Sequence, residues 1–238
     1  TIEALAWGSN LAWGYDKHPP LSAIVIQFFY LIFEKNDWAY YLLSQICVLL
    51  SFFYIWKLSI NFFSNKIYSL LSILILESIV FFNYTTPEYN VYVLQLPIKA
   101  SLVFFFWRSL ETDRILNWLL TGLMSALGIL THYSFIFLIL ALFIFFIFFV
   151  KKNKKKIYSF ILSFTLFIFL ISPHLLWLID NSYVTIDYAL NRSSVNTKNL
   201  SDHFLNPFVF IFKQLGMLIL FLIIFFSLLS FKKFKQSF

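Results

Sequence analysis

The sequence predicts an all-α, polytopic integral membrane protein with about seven transmembrane helices and one juxtamembrane helix, residues 1–238 forming a single transmembrane domain. Three observations carry this. Of 238 residues, 61% are hydrophobic and 12% charged, against about 25% charged in soluble domains. Apolar runs near the roughly 20 residues needed to cross a bilayer recur along the whole chain. These runs are apolar on every side, whereas a membrane barrel would alternate in segments of about ten residues.

In chain order, the runs place membrane helices at Trp38–Ile60, Ile67–Phe82, Val91–Trp107, Ile115–Leu130, Ser134–Val150, Ile157–Leu176 and Pro207–Leu229. Leu21–Phe33 is apolar over only 13 residues, about 20 Å as a helix. It is therefore read as a juxtamembrane helix within a first outer loop spanning 1–37. With that choice Lys57, Lys66, Arg108, Arg114, the run Lys151–Lys156, and Lys232, Lys233 and Lys235 share one side. They make 12 of the 18 basic residues, so this side is cytoplasmic by the positive-inside rule. The net charge of +7 is thus spent on topology, and no nucleic-acid partner is expected. Trp38, Trp56, Trp107, Trp118 and Trp177 fall near helix ends, as interfacial belts require. The 33 Phe residues are read as codon bias rather than a ligand cage. The single cysteine, Cys47, excludes an intrachain disulfide.

The opposite face collects the reactive groups. Eight of the eleven acids lie there, Glu3, Asp16, Glu34, Asp37, Glu88, Asp180, Asp187 and Asp202, with all four histidines, His18, His132, His174 and His203. The densest stretch is Gly14-Tyr15-Asp16-Lys17-His18-Pro19-Pro20-Leu21. Two consecutive prolines remove two backbone donors and cannot continue a helix, which predicts His18 in an extended, exposed loop at a helix start. The outer loop 180–206 is the longest polar stretch and suits a cover over substrate. Glu77 and Lys99 sit inside apolar runs, where an ionisable group is paired or functional by default; an ion pair between consecutive antiparallel helices is the expectation.

Residues Glu3 to Leu21 resemble the first periplasmic loop of the family 39-like, C-type-fold membrane glycosyltransferases, including bacterial lipid A and core aminoarabinose and galacturonic acid transferases. Three further stretches agree in order: Pro87 to Leu94, Gly122 to Tyr133, and Ser172 to Trp177 with Asp180-Asn181. The resemblance implies transfer of a sugar from a polyprenyl-phosphate donor to a lipid or protein acceptor, at the periplasmic or exterior face of a bacterial inner membrane. The family's main catalytic acid is commonly an Asp just ahead of the position of Glu3. The chain starts at Thr1, so an upstream segment carrying that Asp, and further C-terminal helices, are expected. His132 stands where relatives usually carry Lys.

Glu3 is the candidate catalytic residue, a base that deprotonates the acceptor hydroxyl, or else a solvated loop carboxylate. The substrate-binding candidates are Asp16, Lys17, His18, Glu88, Asn90, His132, Tyr133 and His174. Lys17 offers a point charge to a phosphate, and His132, if protonated, could do the same. The bland reading makes these exposed turn or interface residues. No pair has the spacing that puts two metal ligands on one helix face; a divalent metal is possible without being indicated. Three sequons, at Asn83, Asn191 and Asn199, are expected by chance. The Lys151–Lys156 run suits anionic headgroups among the membrane lipids as well as a plain topology anchor. A transporter or flippase is the alternative function, but its ionisable groups should line a path through the membrane.

Overall fold

The computed structural model describes residues 1–150, 153–193 and 200–236. The described chain is helical: α1 (Ile2–Gly8), α2 (Leu21–Phe33), α3 (Asp37–Ser59), α4 (Lys66–Glu77), α5 (Val91–Thr112), α6 (Ile115–Thr131), α7 (Ile136–Phe149), α8 (Lys154–Asp180), α9 (Val184–Ser193), α10 (Leu200–Met217) and α11 (Ile219–Gln236). Short 3-10 turns occupy Val80–Phe82 and Tyr133–Phe135. Among the described residues there is no strand. Lys151 and Lys152 of the basic run and Asn199 of the third sequon lie outside the described residues, as do the side chains of Asp202, Lys232, Lys233 and Lys235.

Local chemistry sets several of the boundaries. Asn65, Asn90 and Asn153 cap α4, α5 and α8, their side-chain oxygens accepting from backbone N–H groups of the first turn, the donors a helix start leaves unpaired. Asp113 stops α5 in the left-handed region, at φ 53°, which Asp tolerates better than most residues. α5 runs past the expected Trp107 because Arg108 and Glu111, one turn apart and 2.9 Å from each other, keep its polar end helical.

Two expectations change. Ile67–Phe82 is not one span: α4 ends at Glu77, and Asn83 Nδ2 donates to the Glu77 carbonyl at 2.6 Å. Glu77 is therefore an exposed helix-terminal residue, and it makes no ion pair with Lys99. Nor do the described residues confirm the seven-crossing count. By length and composition α3, α5 and α8 can cross a membrane, and α10 with α11, bent by 55° at their junction, make a fourth if taken as one span. α4, α6 and α7 contain 12, 17 and 14 residues. As helices they extend about 18, 25 and 21 Å, against roughly 30 Å of hydrocarbon.

The helices pack in the series α3, α5, α6, α8, with α2 laid against α3 and α6 and α1 on α2. The main core joins α1, α2, α3, α5 and the 3-10 turn through Ala4, Ile26, Leu43, Cys47, Val93, Ile98 and Phe135. Gly122 of α6 packs closely on α8: a Cβ there would lie 2.3 Å from the Ser163 carbonyl oxygen. The alternation of helices separates two ends. One carries Arg108, Asp113 and Lys156, whose ammonium donates to the Leu110 carbonyl at 2.7 Å and lies 3.5 Å from Asp113. The other gathers the first loop, the N-terminus of α5, the 3-10 turn after α6, and the C-terminal end of α8.

Candidate functional site

The first loop is built around Tyr15. Its ring stacks on Trp7 at 5.2 Å, and its hydroxyl donates to the Trp7 carbonyl at 3.0 Å while accepting from Ala12 N–H at 3.2 Å. Burial pushes the phenol up from its ordinary pKa, so it stays a neutral donor. Gly14 packs face-on against Trp177 of α8, where an added Cβ would stand 2.3 Å from the indole. Pro19 and Pro20 are fully buried, and Pro20 occupies the residue before α2, where its missing N–H costs nothing. His18 is consequently half-buried rather than exposed as expected.

His174 ties this loop to α8. Its Nδ1 donates to the Trp13 carbonyl at 2.5 Å, and Nε2 accepts from the Tyr133 hydroxyl at 2.9 Å. At 1% exposure and with both nitrogens occupied, the ring is a strut between α8, the first loop and the 3-10 turn. α9 closes over the same loop through Thr185, which is buried and donates to the Tyr15 carbonyl at 2.5 Å.

Beside this strut lies an open polar set. Glu3 stands in the first turn of α1, not in a loop, and its Oε1 is 2.5 Å from Lys17 Nζ, the two side chains 52% and 35% exposed. The Glu3 hydrogen bond, then its charge, holds the Lys17 ammonium above its usual pKa. Asp16 is exposed and reaches Lys17 and His18 through its charge alone. The His18 ring is 5.7 Å from Trp7 and 5.3 Å from His132, and His132 is 5.4 Å from Tyr92 at the head of α5.

His132 ends α6 in extended conformation. Its Nδ1 accepts from Ser134 N–H at 3.1 Å, which leaves the ring proton on Nε2 as the free donor. Burial, then the nearby His18 and Lys99, lower its pKa to about 4. Near neutral pH His132 is therefore an uncharged donor, so the condition under which it would offer a positive charge to a phosphate is not met there. His18 is also lowered, by burial first, against an opposing pull from Glu3.

The remaining predicted residues are placed less directly. Asn90 spends its side-chain oxygen on the α5 cap, and its amide donates to the Glu88 carbonyl at 3.1 Å. The Glu88 carboxylate is exposed. Tyr133 is committed to His174. Sequence reasoning missed Tyr188 and Arg192 of α9. Lys17 lies 5.9 Å from the Tyr188 ring, and Arg192 donates to the Tyr188 hydroxyl at 3.0 Å. Only the fold brings them to Glu3, some 190 residues away. Tyr92 and Gln95 were also missed, though their helical spacing with Lys99 was a readable signal. Among the described residues no three His, Cys, Asp or Glu side chains converge as metal ligands.

A family model described as dolichyl-phosphate-mannose-protein mannosyltransferase matches residues 17–177. Comparisons with curated proteins and with solved structures gave no match. The matched segment takes in Lys17, His18, His132 and His174 and the helices α2 to α8 that hold them, while Glu3 and Arg192 flank it. With a match over more than half of its length, the chain belongs to the dolichyl-phosphate-mannose-protein mannosyltransferase family, membrane glycosyltransferases of the C-type fold that use polyprenyl-phosphate sugar donors.

Proposed function

We propose that the protein transfers a hexosyl, pentosyl or uronosyl group from a polyprenyl-phosphate donor to a lipid acceptor of the lipid A or core type, or to a protein. The reaction takes place at the non-cytoplasmic face of a bacterial inner membrane. The observation that carries this reading is the Glu3–Lys17 pair beside the His18–His132 pair, at the end of the bundle away from the basic cluster. A one-sided site of this kind favours an enzyme over a transporter or flippase, whose ionisable groups line a path.

Glu3 is the base in this proposal and Lys17 its gatekeeper. An exposed ion pair contributes about 1 kcal/mol or less, so an arriving phosphate can draw Lys17 away and free the carboxylate. The acceptor oxygen then attacks the anomeric carbon and gives its proton to Glu3. The anomeric carbon–oxygen bond breaks, and its electron pair leaves with the polyprenyl phosphate. Lys17 and the Nε2–H of neutral His132 face the growing negative charge, where positioned donors contribute most. Arg192 and Tyr188 cover the pair from α9, and Asp16 and Glu88 remain for sugar hydroxyls.

The test is turnover by full-length protein in detergent. Polyprenyl-phosphate sugar should support transfer; turnover with a soluble nucleotide sugar alone overturns the reading. Cysteines replacing Asp187 and Asn153 should label from opposite faces, Asp187→Cys from outside and Asn153→Cys only after permeabilisation.

A further inference from the structure

One face of α5 changes character along its length. Tyr92, Gln95, Lys99, Leu102 and Phe106 follow the i, i+3, i+7 spacing and fall within about 80° of each other at 3.6 residues per turn. At the outer end Tyr92 lies against His132, and one turn on Gln95 donates to the His132 carbonyl at 3.4 Å. At the inner end Leu102 and Phe106 line a cavity of about 440 Å³ between α5, α6, α7 and α8. Its other walls include Ile139 and Phe143 of α7 and Phe164 and Phe167 of α8. Lys99 stands between the two zones, eight residues and about 12 Å along the helix from Val91. Its side chain is exposed, no carboxylate among the described residues pairs with it, and its charge reaches His132.

A lone ammonium at that depth is costly and is retained for a partner. The groups around it define that partner as an anion carried on an apolar chain. The anion meets Lys99 on the side of the polar site, and the chain descends past Leu102 into the cavity. We propose that Lys99 binds the phosphate of the lipid-linked donor, with the histidine pair lying between it and Lys17, so that the leaving phosphate is held from both sides. This rests on the donor reading above and adds the residue that recognises the lipid's headgroup. Lys17, paired with Glu3 and 35% exposed, serves the sugar side of the same phosphate.

The test compares undecaprenyl phosphate with undecaprenol, which share a chain and differ in the charged group, as competitive ligands of the full-length protein in detergent. A charge-assisted contact corresponds to about tenfold to hundredfold in affinity. Wild type should prefer the phosphate by at least about tenfold. Lys99→Met should bring that preference close to one while leaving undecaprenol binding unchanged, and Lys99→Arg should keep most of it. Removing a charge at membrane depth favours insertion, so Lys99→Met should assemble; Lys99→Gln gives the same comparison if it does not. A purely packing role would weaken both ligands alike. If Lys99→Met and Lys99→Gln keep the wild-type preference, the assignment of Lys99 is overturned and the donor reading stands. If wild type shows no preference for the phosphate, both fall.

Discussion

Two neighbouring regions at the same end of the bundle make opposite use of similar residues. In the strut, Tyr15, His174 and Thr185 are buried and Tyr133 half-buried, and the polar atoms are taken up by one another and by carbonyls of the first loop. The set of Glu3, Lys17, His18 and His132 is half-open, with Nε2–H of His132 left free and a carboxylate held only by a surface ion pair. A histidine in the first region and a histidine in the second are indistinguishable by type. What separates them is hydrogen-bond saturation. The saturated region fixes where the first loop lies, and the unsaturated one retains capacity for a substrate.

Substitutions should therefore split into two classes. The largest effect is expected at Glu3: Glu3→Gln should lower kcat by about 10²- to 10⁴-fold, the range for losing a general base, with the melting temperature unchanged. A parallel loss of folded protein would move Glu3 into the scaffold. His18→Ala should lower turnover at least about tenfold, again without loss of folded protein. Next comes the strut. Gly14→Val drives a side chain into Trp177, and overpacking of this kind costs about 1–3 kcal/mol. It should lower the melting temperature, while the fraction that still folds keeps its KM for acceptor.

A smaller effect follows from acidification. The pKa of His132 is about 4 in the folded protein and about 6.5 unfolded. Between these values the unfolded chain binds the additional proton, so stability is full above about pH 6.5 and declines as pH falls toward 4. His132→Asn should flatten that part of the stability profile measured by thermal unfolding in detergent. An unchanged slope would assign it to His18 or His174 instead.

The same contrast shows what the amino-acid order reveals. α2 and α3 were legible to within a residue because apolar run length and terminal Asn or Pro residues fix them locally. α4 was overextended because Ser69, Ser72, Glu77 and Ser78 are too scattered to break the apolar run Ile67–Phe82, and the break depends on side-chain bonds such as Asn83 to the Glu77 carbonyl. α9 was read as loop: its composition is polar, and it is held by Thr185 binding Tyr15 from 170 residues away. Of the site, Lys17 and His18 were legible from their loop, and Glu3 from its neighbours. The use of both His174 nitrogens, and the arrival of Arg192, depend on long-range packing that no local pattern records. Lys99 was misassigned to Glu77 because helix order pairs them, and only the fold ends α4 at an exposed Glu77 that makes no such pair.

The contact of Gly122 with Ser163 also has a mechanical side. A Cβ at position 122 would stand 2.3 Å from the Ser163 carbonyl oxygen, and His174 lies eleven residues beyond Ser163, about 16 Å along α8. That contact can therefore serve as a pivot for α8, with the first loop joined to its longer arm by the His174–Trp13 bond. A tilt of about 4° at the pivot carries His174 about 1 Å. A larger residue at position 122 would thus be felt at the far end of the arm, as displacement of the loop that holds Lys17 and His18, without touching either of them.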